Sequence, residues 1–148
     1  MTNGLSMFAN VGIAETYLKD VGVNIVVANE ILEERAKFYE HLYPECKMIT
    51  GDITEQQIYD SVLEKAKELD VDFIIATPPC QGMSIAGHRG PEDERNSLVK
   101  YAVDMVLDIK PKFALFENVT QQLNTPIEYN GESILIPDYI KERLGNDY

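Results

Sequence analysis

Short apolar runs alternate along this chain with segments whose apolar residues recur every three or four positions. The runs are Leu5–Ala9, Asn24–Asn29, Lys47–Thr50, Asp72–Thr77 and Phe113–Glu117. Between and after them lie the segments of helical period: Ile13–Val21, Leu32–Tyr43, Thr54–Leu69 and Ser97–Asp108. Each run is four to six residues long, which suits a strand buried on both faces of a parallel sheet. In the third helical segment Ile58, Val62, Ala66 and Leu69 share one face. Thr54 and Gln57 have capping-box spacing and predict its start. Pro44 and Pro111 sit just past two helical patterns, where a helix would stop. This alternation predicts one α/β domain over residues 1–148, with an open, doubly wound, mostly parallel sheet and right-handed crossovers.

Two stretches break the rhythm. Pro78–Arg95 is rich in Gly and Pro and long for a strand-to-helix turn. Thr120–Pro137 carries turn signals at Thr125-Pro126 and Asn130-Gly131, and Asp138–Leu144 after it could form one more short helix. A five-stranded sheet is thin at one side. With the chain ending at Gly145-Asn146-Asp147-Tyr148, a sixth or seventh strand is expected to be missing.

Composition narrows the class. With 45% hydrophobic and 26% charged residues the chain is of globular type, and no apolar run approaches the ~20 residues that span a bilayer. The N-terminus lacks the basic flank and apolar stretch of a signal peptide, so a cytoplasmic protein is expected. Two cysteines, Cys46 and Cys80, neither in a C-x-x-C pair, argue against a disulfide framework or a zinc site. A formal charge of −12 repels phosphate. Either any surface that grips nucleic acid lies elsewhere, or the partner is not a nucleic acid.

In sheets of this kind ligands bind beyond the carboxyl ends of the strands, so the residues after each run carry the candidate chemistry. Phe8-Ala9-Asn10-Val11-Gly12 follows the first run. Its small residues either bring backbone close to a ligand or merely turn the chain. Glu30 follows the second, 18 positions after Gly12, near the ~20-residue offset of ribose-binding acids. A helix-starting carboxylate is the equal alternative. Asp52, after the third run, could accept from an adenine amino group or cap the next helix.

The fourth run leads into Thr77-Pro78-Pro79-Cys80-Gln81-Gly82-Met83-Ser84. Two prolines hold Cys80 in rigid, non-helical backbone at the mouth of the sheet, near solvent and a helix terminus, conditions that can favour thiolate. Cys46, by contrast, reads as a small buried hydrophobe. Glu117-Asn118-Val119 closes the fifth run. A carboxylate at the end of an apolar strand is costly to bury unpaired, and a raised pKa would suit an acid. A structural hydrogen-bonding role is the alternative. His88, Arg89 and Arg95 form a small positive cluster that could meet phosphate or simply be solvated. His41 reads as a surface residue of a helix. Neither histidine has matching ligand partners, and no metal is expected.

Taken together, Pro78-Pro79-Cys80-Gln81-Gly82-x-Ser84, then Arg95-Asn96-Ser97-Leu98, then Glu117-Asn118-Val119, resemble the ordered blocks of the DNA cytosine-5 methyltransferase family across nearly the whole chain. The resemblance implies a Rossmann-like methyltransferase fold that binds S-adenosylmethionine, with duplex DNA as partner. It implies that Cys80 attacks carbon 6 of a flipped-out cytosine, that Glu117 binds the ring at N3, and that Asn118 helps hold the site. It further implies that Phe8, Ala9, Asn10 and Gly12 line the methionine and adenosine side of the pocket. Glu30 would hold the ribose, Ile31 pack on the adenine, Asp52 and Ile53 read the adenine edge, and Pro79 and Leu98 complete the wall. Gln81, Ser84, His88, Arg89 and Arg95 would face DNA.

There are departures. Where the family's first block reads Phe-x-Gly-x-Gly-Gly, Asn10 and Ile13 replace glycines; Asn tolerates left-handed backbone, while Ile13 narrows the approach. No Gln-x-Arg-x-Arg block, target-recognition region or closing Gly-Asn block follows. A fragment poorly active alone is therefore expected, one that would work with a complementing C-terminal chain in a restriction–modification system. An RNA cytosine-5 methyltransferase of the transfer-RNA branch and a non-catalytic cofactor- or partner-binding subunit are the alternatives. Fold alone would also permit a nicotinamide dehydrogenase.

Overall fold

The computed structural model describes residues 1–79 and 97–148. Among these, β1 (Thr2–Met7), β2 (Val23–Glu30), β3 (Lys47–Thr50), β4 (Phe73–Ala76) and β5 (Phe113–Phe116) form one sheet in the order β3-β2-β1-β4-β5. Every neighbouring pair is parallel, as the alternation anticipates. Helices α1 (Glu33–Leu42), α2 (Gln56–Glu68), α3 (Leu98–Ile109) and α4 (Ile136–Leu144) complete the main architecture.

The doubly wound character shows in the side chains of β2. Val27 belongs to a large cluster with Leu5, Met7, Ile74, Val62 and Val103, whereas the next residue, Ala28, packs with Ala9, Ala36, Tyr39, Cys46 and Met48. Successive residues of a strand point to opposite faces, so these two clusters are the two sides of the sheet. On α2 the anticipated stripe faces the large cluster, with Val62 and Ala66 fully buried and Ile58 and Leu69 packed against them. α3 stops where Lys110 turns left-handed (φ 58°) just before Pro111.

Three expectations need correcting. Ile13–Val21 is not an α-helix. It runs through turns closed by three-residue hydrogen bonds, such as Leu18 N to Glu15 O at 3.0 Å, into a 3-10 turn at Lys19–Val21. Ile13, Tyr17 and Val21, spaced by four, are 77%, 76% and 75% exposed. The stripe that would stabilise an amphipathic helix buries nothing. The Thr54–Gln57 capping box does not form either. Asp52 Oδ1 accepts from Thr54 N (2.9 Å) and Thr54 Oγ1 (2.8 Å), which engages that hydroxyl, and α2 starts after Glu55. Thr120–Pro137 is more regular than its composition suggests. It contains an antiparallel hairpin, β6 (Pro126–Tyr129) and β7 (Glu132–Leu135), turned by Asn130 and Gly131 at φ 53° and 80°. Those left-handed angles are the ones a two-residue hairpin loop of matching twist demands.

Among the described residues β5 is paired on one side only, to β4. Ala114 and Phe116 pack on the large cluster, while Phe113 and Leu115, pointing the other way, are 64% and 46% exposed. No helix among the described residues is long and apolar enough to cross a membrane.

Candidate active site

The chain winds from β1 outward to β2 and β3 on one side and to β4 and β5 on the other, so the crevice at the carboxyl ends of β1 and β4 is the topological switch point. Backbone hydrogen bonds continue past the strands there: Ala9 N to Asn29 O (2.9 Å), Gly51 N to Glu30 O (3.0 Å) and Glu117 N to Ala76 O (3.0 Å). Thr77 Oγ1 donates to Phe8 O at 3.0 Å and joins the two loops that flank the crevice. Segments far apart in sequence are thereby laid side by side.

The loop after β1 is built from left-handed residues: Phe8 at φ 59°, Asn10 at 52° and Gly12 at 81°. Asn10 adopts the conformation for which it is tolerated in place of glycine. Phe8 has no such tolerance and is a strained position. A Cβ on Gly12 would lie 2.3 Å from Tyr43 Cε2 and 3.0 Å from Tyr39 Cε2, and Tyr43 Oη donates to Gly12 O at 2.7 Å. Gly12 is thus fitted against two α1 rings, and Ala9 is buried with them in the smaller cluster. Of the four loop residues expected to line a cofactor pocket, these two face inward. Phe8 is half-buried against the large cluster, and Asn10 is exposed. Ile13 projects into solvent.

Glu30, at the end of β2, is 4% exposed. Its Oε2 accepts from Asn10 N (2.8 Å) and its Oε1 from Leu32 N (2.9 Å). The carboxylate therefore ties the loop after β1 to the start of α1, and each oxygen keeps a further lone pair for a hydroxyl donor. Next to it Ile31 is 56% exposed, an apolar surface at the strand end. Asp52 holds the turn before α2 through Thr54, the local role weighed for it. Ile53 is 3% exposed and belongs to the large cluster. A ligand would meet it only through the backbone. Asn29, not singled out from the sequence, donates through Nδ2 to Ile49 O (2.9 Å) and Gly51 O (3.1 Å) and fastens the ends of β2 and β3. Its one signal was an amide inside an otherwise apolar run.

At β4 and β5, Asn118 Nδ2 donates to Pro78 O at 2.8 Å while its Oδ1 accepts from Val119 N at 2.8 Å. The Glu-Asn-Val block is thereby fastened to the Pro-Pro block. Pro79 and Leu98 are half-buried. Glu117 is exposed, so the burial expected to make it an acid is not found. Cys80, Gln81, Ser84, His88, Arg89 and Arg95 lie outside the described residues.

Beneath the loop after β1 is a polar cluster that sequence reasoning missed. Ser6 Oγ donates to Glu15 Oε1, and both residues are buried. Glu15 Oε2 and the Tyr39 hydroxyl are buried without a well-formed hydrogen bond among the described residues. Burial pushes the Glu15 carboxyl and the Tyr39 hydroxyl up, and pushes the Cys46 thiol up to about 12. Cys46 is the inert interior thiol it was read to be.

With that geometry in place, comparison with known proteins is direct. The C-5 cytosine-specific DNA methylase family model matches residues 2–136. The type II methyltransferase M1.HgaI of Avibacterium volantium is 40% identical over 98% of this chain, which covers 42% of that protein. The type II methyltransferase M.FnuDI of Fusobacterium nucleatum is 37% identical over 93% of the chain, covering 37% of it. A crystal structure described as a prophage-encoded DNA modification methyltransferase of E. coli superposes with TM-score 0.75 at 23% identity, over 99% of this chain and 38% of that one. A Spodoptera frugiperda DNMT2 mutant gives 0.69 at 20%, over 99% and 41%. At such identities the two structures speak for the fold, the Rossmann-like methyltransferase sheet. The chain spans about two-fifths of the length of these relatives. Its strand order, its blocks at the strand ends and a family match from residue 2 to residue 136 agree: the chain belongs to the C-5 cytosine-specific DNA methylase family.

Proposed function

We propose that this chain is the cofactor-binding, nucleophile-bearing part of an enzyme that methylates carbon 5 of cytosine in duplex DNA, in the cytoplasm, as the modification arm of a restriction–modification system. The observation that carries this reading is the Asn118 Nδ2 bond to Pro78 O, which sets the Glu117-Asn118-Val119 block against the residues leading into Cys80. The donor set at β2 suits the adenosyl cofactor: a buried Glu30 carboxylate with lone pairs to spare for ribose hydroxyls, beside the exposed Ile31. S-adenosylmethionine, when bound, supplies the methyl group.

On this reading the Cys80 thiolate forms a bond to carbon 6 of the flipped-out base, and the carbon 5–carbon 6 π electrons move to carbon 5. Glu117 hydrogen-bonds N3 as charge builds on the ring. Carbon 5 would then take the methyl group, the sulfonium carbon–sulfur bond breaking to leave S-adenosylhomocysteine. Loss of its proton restores the double bond and breaks the sulfur–carbon bond, freeing Cys80. The net charge of −12 supports a phosphate grip located on other parts of the enzyme. The exposed Phe113 and Leu115, beside the edge of β5 that no strand among the described residues pairs, support a further segment or complementing chain that covers this side and carries target recognition.

Trapping on duplex DNA containing 5-fluorocytosine tests the chemistry, because fluorine cannot leave as the carbon 5 proton does. With S-adenosylmethionine and a complementing C-terminal chain, a covalent adduct is expected and Cys80→Ala abolishes it. No adduct under those conditions would favour the non-catalytic binding reading.

A further inference from the structure

We infer that Glu15 is a positioning residue for the loop Phe8–Gly12, acting as a neutral carboxyl that links Ser6 on β1 to Tyr39 on α1 when that loop holds the cofactor. This rests on the cofactor reading above and deepens it.

The loop is held from two sides. On the crevice side Glu30 Oε2 receives Asn10 N, and Glu30 is also the group proposed to take ribose hydroxyls. A bound ribose would share that carboxylate, using the lone pairs that Asn10 N and Leu32 N leave free. On the interior side Tyr43 Oη holds Gly12 O, Tyr39 packs on Gly12, and Glu15 stands on the turn that leaves the loop, with Ser6 donating to its Oε1. The interior anchor takes no part in binding, so it can hold the loop whether or not the crevice is occupied.

Glu15 is 4% exposed and Tyr39 fully buried, and neither Glu15 Oε2 nor the Tyr39 hydroxyl has a well-formed hydrogen bond among the described residues. With the carboxyl protonated the network closes: Oε1 accepts from Ser6 while Oε2–H donates to the Tyr39 oxygen. The groups acting on Glu15 are Ser6 from β1, Tyr39 from α1 and its own backbone, and those acting on Tyr39 add Cys46 and Tyr43. Burial, the largest influence on Glu15, favours the neutral acid, while hydrogen bonds from Ser6, its own backbone and Tyr39 pull the other way, and no cation is among these groups.

The test is calorimetric affinity for S-adenosylhomocysteine, with denaturation midpoints measured on the same samples. Glu15→Gln preserves an acceptor toward Ser6 and a donor toward Tyr39, and should bind as wild type. Glu15→Ala and Tyr39→Phe should each weaken binding about tenfold, a magnitude typical of coupling between distinct sites. Their combination should be no worse than Glu15→Ala alone. A merely structural Glu15 would lower the midpoint and leave affinity unchanged; that result overturns the inference while the cofactor reading stands. Equal loss in Glu15→Gln and Glu15→Ala overturns the neutral-carboxyl form. Failure of wild type to bind overturns the cofactor reading itself and this inference with it.

Discussion

Gly12→Ala separates two costs that usually arrive together. Gly12 sits at φ 81°, where an L-residue loses about 1–2 kcal/mol to the clash of Cβ with the following carbonyl. Its new Cβ would also lie 2.3 Å from Tyr43 Cε2, more than an ångström inside ordinary van der Waals contact. Tyr43 would have to move, although it is held by the Tyr39 ring at 4.7 Å and by its own hydroxyl on Gly12 O at 2.7 Å. Overpacking of this kind costs about 1–3 kcal/mol, and losing the hydroxyl bond about 1 more. Gly22→Ala is the matched control. Its φ is 86°, and a Cβ there meets nothing within 4 Å. Urea unfolding should show Gly22→Ala less stable by about 1–2 kcal/mol and Gly12→Ala by about 3–6 kcal/mol. Equal losses in the two variants would mean that the aromatic pair does not confine Gly12, and the account of the loop's interior side would be refuted.

Other consequences can be checked with the same apparatus. Leu5→Ala empties a fully buried position in the large cluster and should cost about 2–5 kcal/mol in urea unfolding, against a change near zero for Ile13→Ala, which is 77% exposed. Asn118→Ala leaves the buried Pro78 carbonyl without its donor, at about 1–3 kcal/mol, and should reduce 5-fluorocytosine trapping by more than its loss of stability explains. The Cys46 thiol, pushed from an ordinary 9.0 up to about 12, keeps its proton where the unfolded chain has lost it. Stability must therefore fall as pH rises above about 9, by up to about 1.4 kcal/mol per pH unit for this one group. Cys46→Ala should flatten the decline between pH 8 and pH 10, and an unchanged slope would exclude Cys46 as its source. A Glu30→Ala variant should bind S-adenosylhomocysteine at least tenfold more weakly; undiminished binding would remove Glu30 from the ribose role.

Periodicity and block order carried a great deal of this. The runs at Asn24–Asn29 and Lys47–Thr50 became β2 and β3 within one residue, because a strand buried on both faces has little choice but continuous apolar sequence. The stripe on α2 was legible for the same reason. The failures have a common cause. Ile13–Val21 has helical spacing but no surface to pack on, and spacing alone cannot reveal what lies opposite a stripe. The hairpin strands on either side of Asn130-Gly131 are four residues each, too short for alternation to stand out.

The amino-acid sequence alone determined the fold class, the family and which residues stand at the strand ends, since each depends on local pattern or on ordered blocks. Only the tertiary structure decided which of those residues face the crevice. Ala9 and Gly12 turn to α1, Ile53 enters the core and Glu117 stays exposed, while Asn29 and Asn118 fasten neighbouring strand ends together. The Ser6–Glu15–Tyr39 cluster was invisible for the same physical reason. Burial and hydrogen-bond partnership are properties of the space between segments, and Ser6 on β1 meets Glu15, which lies against Tyr39 of a helix that begins only at Glu33.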